Sequence, residues 1–234
     1  MAVITISREF ASGGDEVASK LCDVLGYHSF GKAEILQVVQ ETTFSRVNAV
    51  DYSEDNHEIQ TFIDRLMGQK ATPVQKIAWT EDPSIATRPE RADVHEAAVL
   101  SLVKRAVKAS LPAGNIVIVG RGGQVLLKDA PGVIHVRIEA PFETRFQRVI
   151  DQLKQEQDTQ PSEDEIRRKA GDLIANRDIS SADYIQRYYN VDWADSRLYH
   201  MVLNLGRLTV EQAVQMIVMV VQSVEENTTA QTSP

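Results

Sequence analysis

Three short stretches of this chain carry side chains suited to a phosphorylated ligand. Arg8 is followed by the turn Ser12-Gly13-Gly14 and then by Asp15 and Glu16; Arg121 precedes Gly122-Gly123; Arg177-Asp178 lies in a charged stretch further on. A Ser-Gly-Gly turn that opens onto a helix offers successive backbone N–H groups and the positive end of a helix dipole to an anion. An arginine just past a buried strand adds a planar fork that matches two phosphate oxygens. Such a set can hold a phosphate, and with enough cations in place it can move one, because phosphoryl transfer rests on positioning and charge.

The elements that must position these groups read clearly. Val3 to Ser7 is an apolar run of strand type, and it leads through the Ser12–Gly14 turn into an amphipathic helix ending near Leu25, with Gly26 as its cap. Tyr27 to Phe30 reads as a short second strand. From Lys32 to about Ser110 the pattern is mostly helical, with Ala33 to Thr42, Glu58 to Met67 and Arg91 to Ser110 as helices around a stretch punctuated by Pro73, Pro83 and Pro89. Asn115 to Gly120 (NIVIVG) reads as a strand buried on both faces, and Val133 to Glu139 (VIHVRIE) as another. Helices follow at Pro141 to Gln155 and Ser162 to Asn176, the latter opened by a Ser162/Glu165 capping box, and a short one is expected at Ala182 to Tyr189. Met201 to Leu205 makes a fifth strand, and Val210 to Val221 a closing helix.

Strands that alternate with helices predict an α/β fold with a five-stranded parallel sheet and flanking helices. Ligands of such sheets sit beyond the carboxyl ends of the strands, where the Ser12–Gly14 and Arg121–Gly123 turns both fall. The expected organisation is a single domain over residues 1–222, with a helical insert at 32–110 and a lid at 151–190. Residues 223–234 are expected to be a disordered tail, in which Asn227-Thr228-Thr229 is a sequon without an export signal before it.

Composition excludes several classes. With 234 residues, 43% of them hydrophobic, the chain can bury a full core. A net charge of −8 argues against a surface that coats nucleic acid, so no nucleic-acid partner is expected. The apolar stretch Ala213 to Val221 is far shorter than the roughly 20 residues of a membrane span, so no membrane partner is expected either. A single cysteine, Cys22, rules out a disulfide framework and fits a reducing compartment, and a chain that enters a strand at once carries no secretory pattern, so the cytoplasm is the expected location. His28, His57, His95, His135 and His200 are scattered, and no metal site is expected from them. Trp79 and Trp193 are expected in the core or at its rim.

The chain resembles the cytidylate kinase-like family of the P-loop nucleoside monophosphate kinase group. The resemblance rests on ITISREFASGG (Ile4 to Gly14), on VIVGRGG (Val117 to Gly123) with DAPGVIHVRIEAP (Asp129 to Pro141), and on Tyr184 through YYNVDWAD (Tyr188 to Asp195) to LNLGRLTVEQAV (Leu203 to Val214). It implies that the first turn, Ser12, Gly13 and Gly14, holds the phosphates of Mg-ATP, with Glu16 placed to hold Mg²⁺ against them and Arg8 able to swing in as a substitute cation. Arg121 would face the phosphate of an acceptor nucleotide, the insert would close over its base, and the lid would bring Arg177 and Asp178 to the transferring group.

Two departures weaken the implied chemistry. A working P-loop reads G-x-x-x-x-G-K-[ST]. With Gly14 on the last glycine, Glu9 stands at the first, Asp15 at the lysine and Glu16 at the hydroxyl position. The family resembles SREYGSGG followed by a basic residue and a glutamate, so Glu16 is ordinary and Asp15 is not. In the lid the family pattern resembles D-K-x-R-x-x-Y-Y, whereas this chain has Asp178-Ile179-Ser180-Ser181-Ala182-Asp183-Tyr184-Ile185, with Ile179 and Ser181 at the two basic positions. One arginine at such a transition state can be worth roughly 10³ to 10⁵ in rate. The expectation is therefore a nucleotide-kinase fold that binds a nucleotide or other phosphorylated small molecule, with transfer weak or lost. Two alternatives stay open: an active (d)CMP-type kinase that uses Arg8, Arg121 and Arg177 in rearranged roles, and a non-catalytic regulatory or scaffold protein.

Overall fold

The protein is described here by a computed structural model that covers residues 2–30, 114–155 and 162–232, together with Leu100, Ser101, Val103, Lys104, Val107, Lys108 and Leu111. Nearly all of the expected insert, including Trp79, His57 and His95, lies outside the described residues.

Strand β1 (Val3–Arg8) leads through the glycine turn into helix α1 (Gly14–Leu25), and β2 (His28–Phe30) follows. After the insert come β3 (Ile116–Val119), a short α2 (Gly123–Leu126), β4 (Val133–Glu139), α3 (Phe142–Gln155), α4 (Glu163–Tyr189), a 3₁₀ turn (Ser196–Leu198), β5 (Met201–Asn204) and α5 (Val210–Thr232). The strands form one parallel sheet in the order β2-β3-β1-β4-β5. β1 is thus central, and chain order reverses beside it, which opens a crevice at its carboxyl end.

Period-two alternation sorts β1 onto two faces. Ile4 and Ile6 are fully buried in a core with Val17 and Leu21 of α1 and Ala213, Val214 and Ile217 of α5. Thr5 and Ser7 face the other way and are buried as well, so they need polar partners. Thr5 Oγ1 lies 2.7 Å from His135 Nδ1, and Ser7 Oγ accepts from Trp193 Nε1 at 2.8 Å and from the Tyr199 hydroxyl at 3.2 Å. Arg137 joins this polar layer: its guanidinium lies 4.3 Å from the Trp193 ring centre and donates to Trp193 O at 2.9 Å and to Glu139.

Two boundaries differ from the sequence expectation. The helices expected at Ser162 to Asn176 and Ala182 to Tyr189 are one element, α4. Arg177 to Ser181 hold no proline or glycine, and Ile174 and Ile185 are buried on either side of them, so burial carries the helix through. The Ser162/Glu165 capping box at its start is present. Helix α5 continues past Val221 to Thr232, through most of the stretch expected as tail. Val224 packs on the core and Glu225 accepts from the Tyr27 hydroxyl at 3.0 Å, which rewards further turns. Among the described residues no helix is long and apolar enough to cross a membrane.

The polar layer makes the fold acid-sensitive. Burial, with the His200 ring beside it, pushes the His135 imidazole down to about 4. An unfolded histidine titrates near 6.5, so between these values the unfolded chain binds the extra proton. Stability from this group is full above pH about 6.5 and is lost as pH falls toward about 4. Urea midpoints measured from pH 7 to 4.5 are expected to fall more steeply in the wild type than in His135→Asn; equal slopes would assign the acid sensitivity elsewhere.

Candidate functional site

The turn after β1 is shaped by left-handed backbone. Ala11 and Gly13 both have positive φ, 59° and 92°, and Ser12 N donates to Glu9 O at 3.2 Å. A Cβ on Gly13 would stand 2.9 Å from Leu205 Cδ1, and one on Gly14 only 2.5 Å from Arg8 Cβ, so both positions require glycine. Gly13 caps α1 without a side-chain bond, which leaves the first-turn N–H groups of the helix without intrahelical acceptors. Ser12 is fully buried, and its Oγ has no hydrogen-bond partner among the described residues.

Behind the turn, α3 and α4 form a latch. Arg145, 7% exposed, donates from Nε to Ala140 O at 3.0 Å, and from Nη1 to Phe10 O at 3.2 Å and to Asp178 Oδ2 at 2.5 Å. Asp178 Oδ1 accepts from Phe10 N at 2.9 Å. Glu9 Oε2 accepts from Ala140 N at 3.2 Å and lies 3.6 Å from Arg145 Nε. Arg148 donates to Ala11 O at 3.2 Å. Phe10 and Ala11 are also packed on the apolar seam of α3 and α4. Helices α3 and α4 and the loop are thus bonded and packed to one another.

In front, beyond the ends of β1 and β3, lies a cavity that brings together Arg8, Arg121 and Arg177, with Asp15, Gln124 and Trp193. Arg8 Nε donates to Asp15 Oδ1 at 3.0 Å, and its guanidinium lies over Gly120, where an added Cβ would meet Arg8 Nη1 at 3.0 Å. Arg121 sits in the left-handed region at φ 62°. Burial lowers its guanidinium to about 10, and the nearby Arg8 charge pushes in the same direction. Arg177 is lowered by burial and again by Arg8, and its guanidinium lies 5.5 Å from the Phe10 ring centre. The Arg8 charge thus opposes both Arg121 and Arg177 in a partly desolvated cleft, while Asp15 pairs with Arg8.

The residues singled out in the sequence fall in different places. Arg8, Arg121 and Arg177 meet at the cavity. Ser12, Gly13 and Gly14 form the adjoining turn, and Asp15 is the cavity's edge on that side. Glu16 is in the first turn of α1, more than half exposed, and 3.6 Å from Lys20. Asp178 has both oxygens engaged by the latch. At the two lid positions where the family has cations, Ile179 is 59% exposed and Ser181 lines the cavity without charge. Sequence reasoning did not single out Gln124, which is 2% exposed and lines the cavity, because a lone glutamine after a Gly-Gly pair carries no signal of its own. Trp193, left between core and rim, is both: it is 8% exposed and also lines the cavity.

A Mg-nucleotide fits this arrangement only in part. The first-turn N–H groups of α1, which Gly13 leaves without a side-chain cap, suit a phosphate. Asp15 beside them opposes a polyphosphate, and Glu16 is drawn toward Lys20 rather than toward other acids. Among the described residues no group of three or more acidic, histidine or cysteine side chains is placed to hold a metal.

The sequence profile of the cytidylate kinase-like family matches residues 3–207. No curated protein matches the chain. Among solved structures, an uncharacterized protein from Eubacterium ventriosum is 20% identical over 95% of this chain and 99% of that one, with a TM-score of 0.58, and shares the fold. Shikimate kinase from Bacteroides thetaiotaomicron is 12% identical over 94% of this chain and 98% of that one, with a TM-score of 0.46.

Proposed function

The chain belongs to the cytidylate kinase-like family, and from that premise we propose that it binds a nucleotide or other phosphorylated small molecule in the crevice beyond β1, with phosphoryl transfer from ATP weak or lost. The observation that carries this reading is the meeting of Arg8, Arg121 and Arg177 in one cavity, edged by Asp15 in the first turn of α1. Arg121 is the principal phosphate ligand, since it follows the end of β3 into the cavity. Arg8 and Arg177 flank it. Asp178 is a positioning residue, acting through Phe10 and Arg145.

Weak transfer follows from the same geometry. A metaphosphate-like transition state needs cations on the bridging and terminal oxygens. The nearest candidate for the missing P-loop lysine is Arg8, and Asp15 already takes part of its charge. Isothermal titration with CMP and ATP is expected to show saturable binding of at least one. A coupled ADP-release assay with Mg²⁺ across the common nucleoside monophosphates is expected to show turnover no better than about 10⁻³ of an intact site, the lower end of what one lost transition-state cation costs.

The second reading, an active (d)CMP-type kinase, is favoured by the convergence of the same three arginines. Turnover of one monophosphate at about 1–100 s⁻¹, the range of ordinary kinases, would establish it in place of the first.

A further inference from the structure

Asp15 lies at the boundary between two compartments. It edges the arginine cavity, and with Arg8 and Arg121 it also edges a second recess beside α1 that includes Ser19 and Cys22. It follows Gly14 directly, so it stands at the start of the helix whose N–H groups face the turn. Its carboxylate meets Arg8 Nε at 3.0 Å, while 74% of its side chain remains exposed. The protein thus supplies its own anion at the place where a ligand's outer phosphate would meet Arg8.

We propose that Asp15 is a charge gate: by occupying Arg8 it reserves the site for phosphate monoesters and closes it to di- and triphosphates. The inference rests on the phosphate-binding reading and adds the ligand class. A monoester carries up to two negative charges and needs only the arginines on the Arg121 side of the cavity. A triphosphate carries up to four and extends along the turn toward Asp15, so its repulsion by a fixed carboxylate grows with each added phosphate. An ion pair this exposed contributes little to folding, so its removal should leave the fold intact while the ratio of the two affinities moves.

The test uses inorganic probes without Mg²⁺, so that neither base recognition nor a metal enters. Orthophosphate and tripolyphosphate are titrated calorimetrically into the wild type, Asp15→Asn and Asp15→Lys, with thermal melts to confirm that the exposed substitutions leave the fold intact. The wild type is expected to bind orthophosphate at least as tightly as tripolyphosphate. Asp15→Asn should tighten tripolyphosphate by about tenfold, equivalent to 1.4 kcal/mol, and orthophosphate by less than about threefold; Asp15→Lys should widen that difference. Binding of both probes with an unchanged ratio in the two variants overturns the gate and leaves the phosphate reading standing. Absence of binding in all three proteins overturns both. Tripolyphosphate binding that appears only in the variants supports the gate in its strictest form.

Discussion

Arg145→Ala is expected to lower the free energy of unfolding by about 3–5 kcal/mol, the usual cost of removing one partner from a buried ionic set. The side chain is 7% exposed and bonds two backbone carbonyls, Ala140 O and Phe10 O, as well as Asp178. Its loss strands the Asp178 carboxylate, 23% exposed, and the Glu9 carboxylate, 21% exposed, without their cation. At about 2–4 °C per kcal/mol for a chain of this size, the melting temperature should fall by roughly 10 °C. Because Phe10 belongs to the loop, ligand affinity should fall with it. Asp178→Asn keeps an oxygen for Phe10 N and should cost distinctly less. A melt of Arg145→Ala within about 1 °C of the wild type would show that the latch does not hold the loop.

Arg121→Ala is expected to do the reverse, with a large loss of binding and little loss of stability. The guanidinium is already disfavoured where it sits, held down to about 10 by burial and by the Arg8 charge. Removing it relieves that repulsion, so the melt should be unchanged or slightly raised. A charge-assisted hydrogen bond contributes about 1.5–3 kcal/mol, so calorimetric affinity for the phosphorylated ligand should drop by about ten- to a hundredfold. Arg121→Lys keeps the charge but not the planar fork and should recover only part of it. If Arg121→Ala binds as well as the wild type while melting lower, the residue supports the loop and does not contact the ligand.

These two arginines show how far the sequence could be read. Both stand near the carboxyl ends of buried strands, and from the chain alone either could bind phosphate or bond loop carbonyls. Their surroundings differ: Arg145 bonds Phe10 O, Ala140 O and Asp178, and Arg121 lines a cavity shared with Arg8 and Arg177. Asp178 was legible as a site residue from its place in the lid block, yet that place did not reveal that both its oxygens are engaged by the latch. Gln124 and Trp193 enter the cavity through the way β3 and the stretch before β5 converge on β1, a relation between residues far apart in the chain.

The sequence by itself determined the parallel α/β sheet, the positions of its strands within a residue or so, the glycine turn after the first of them, and the departure at Asp15. Those are local properties: apolar runs, a Gly-Gly pair that tolerates positive φ, and a carboxylate where a cation would be expected. Tertiary structure alone decided that the two predicted lid helices are a single one, that the closing helix runs on to Thr232, and which charges meet. The reason is physical: a helix persists where burial continues to stabilise it, and the role of a charge is set by the partner within a few ångströms, which for Arg8 is Asp15 and for Arg145 is Asp178.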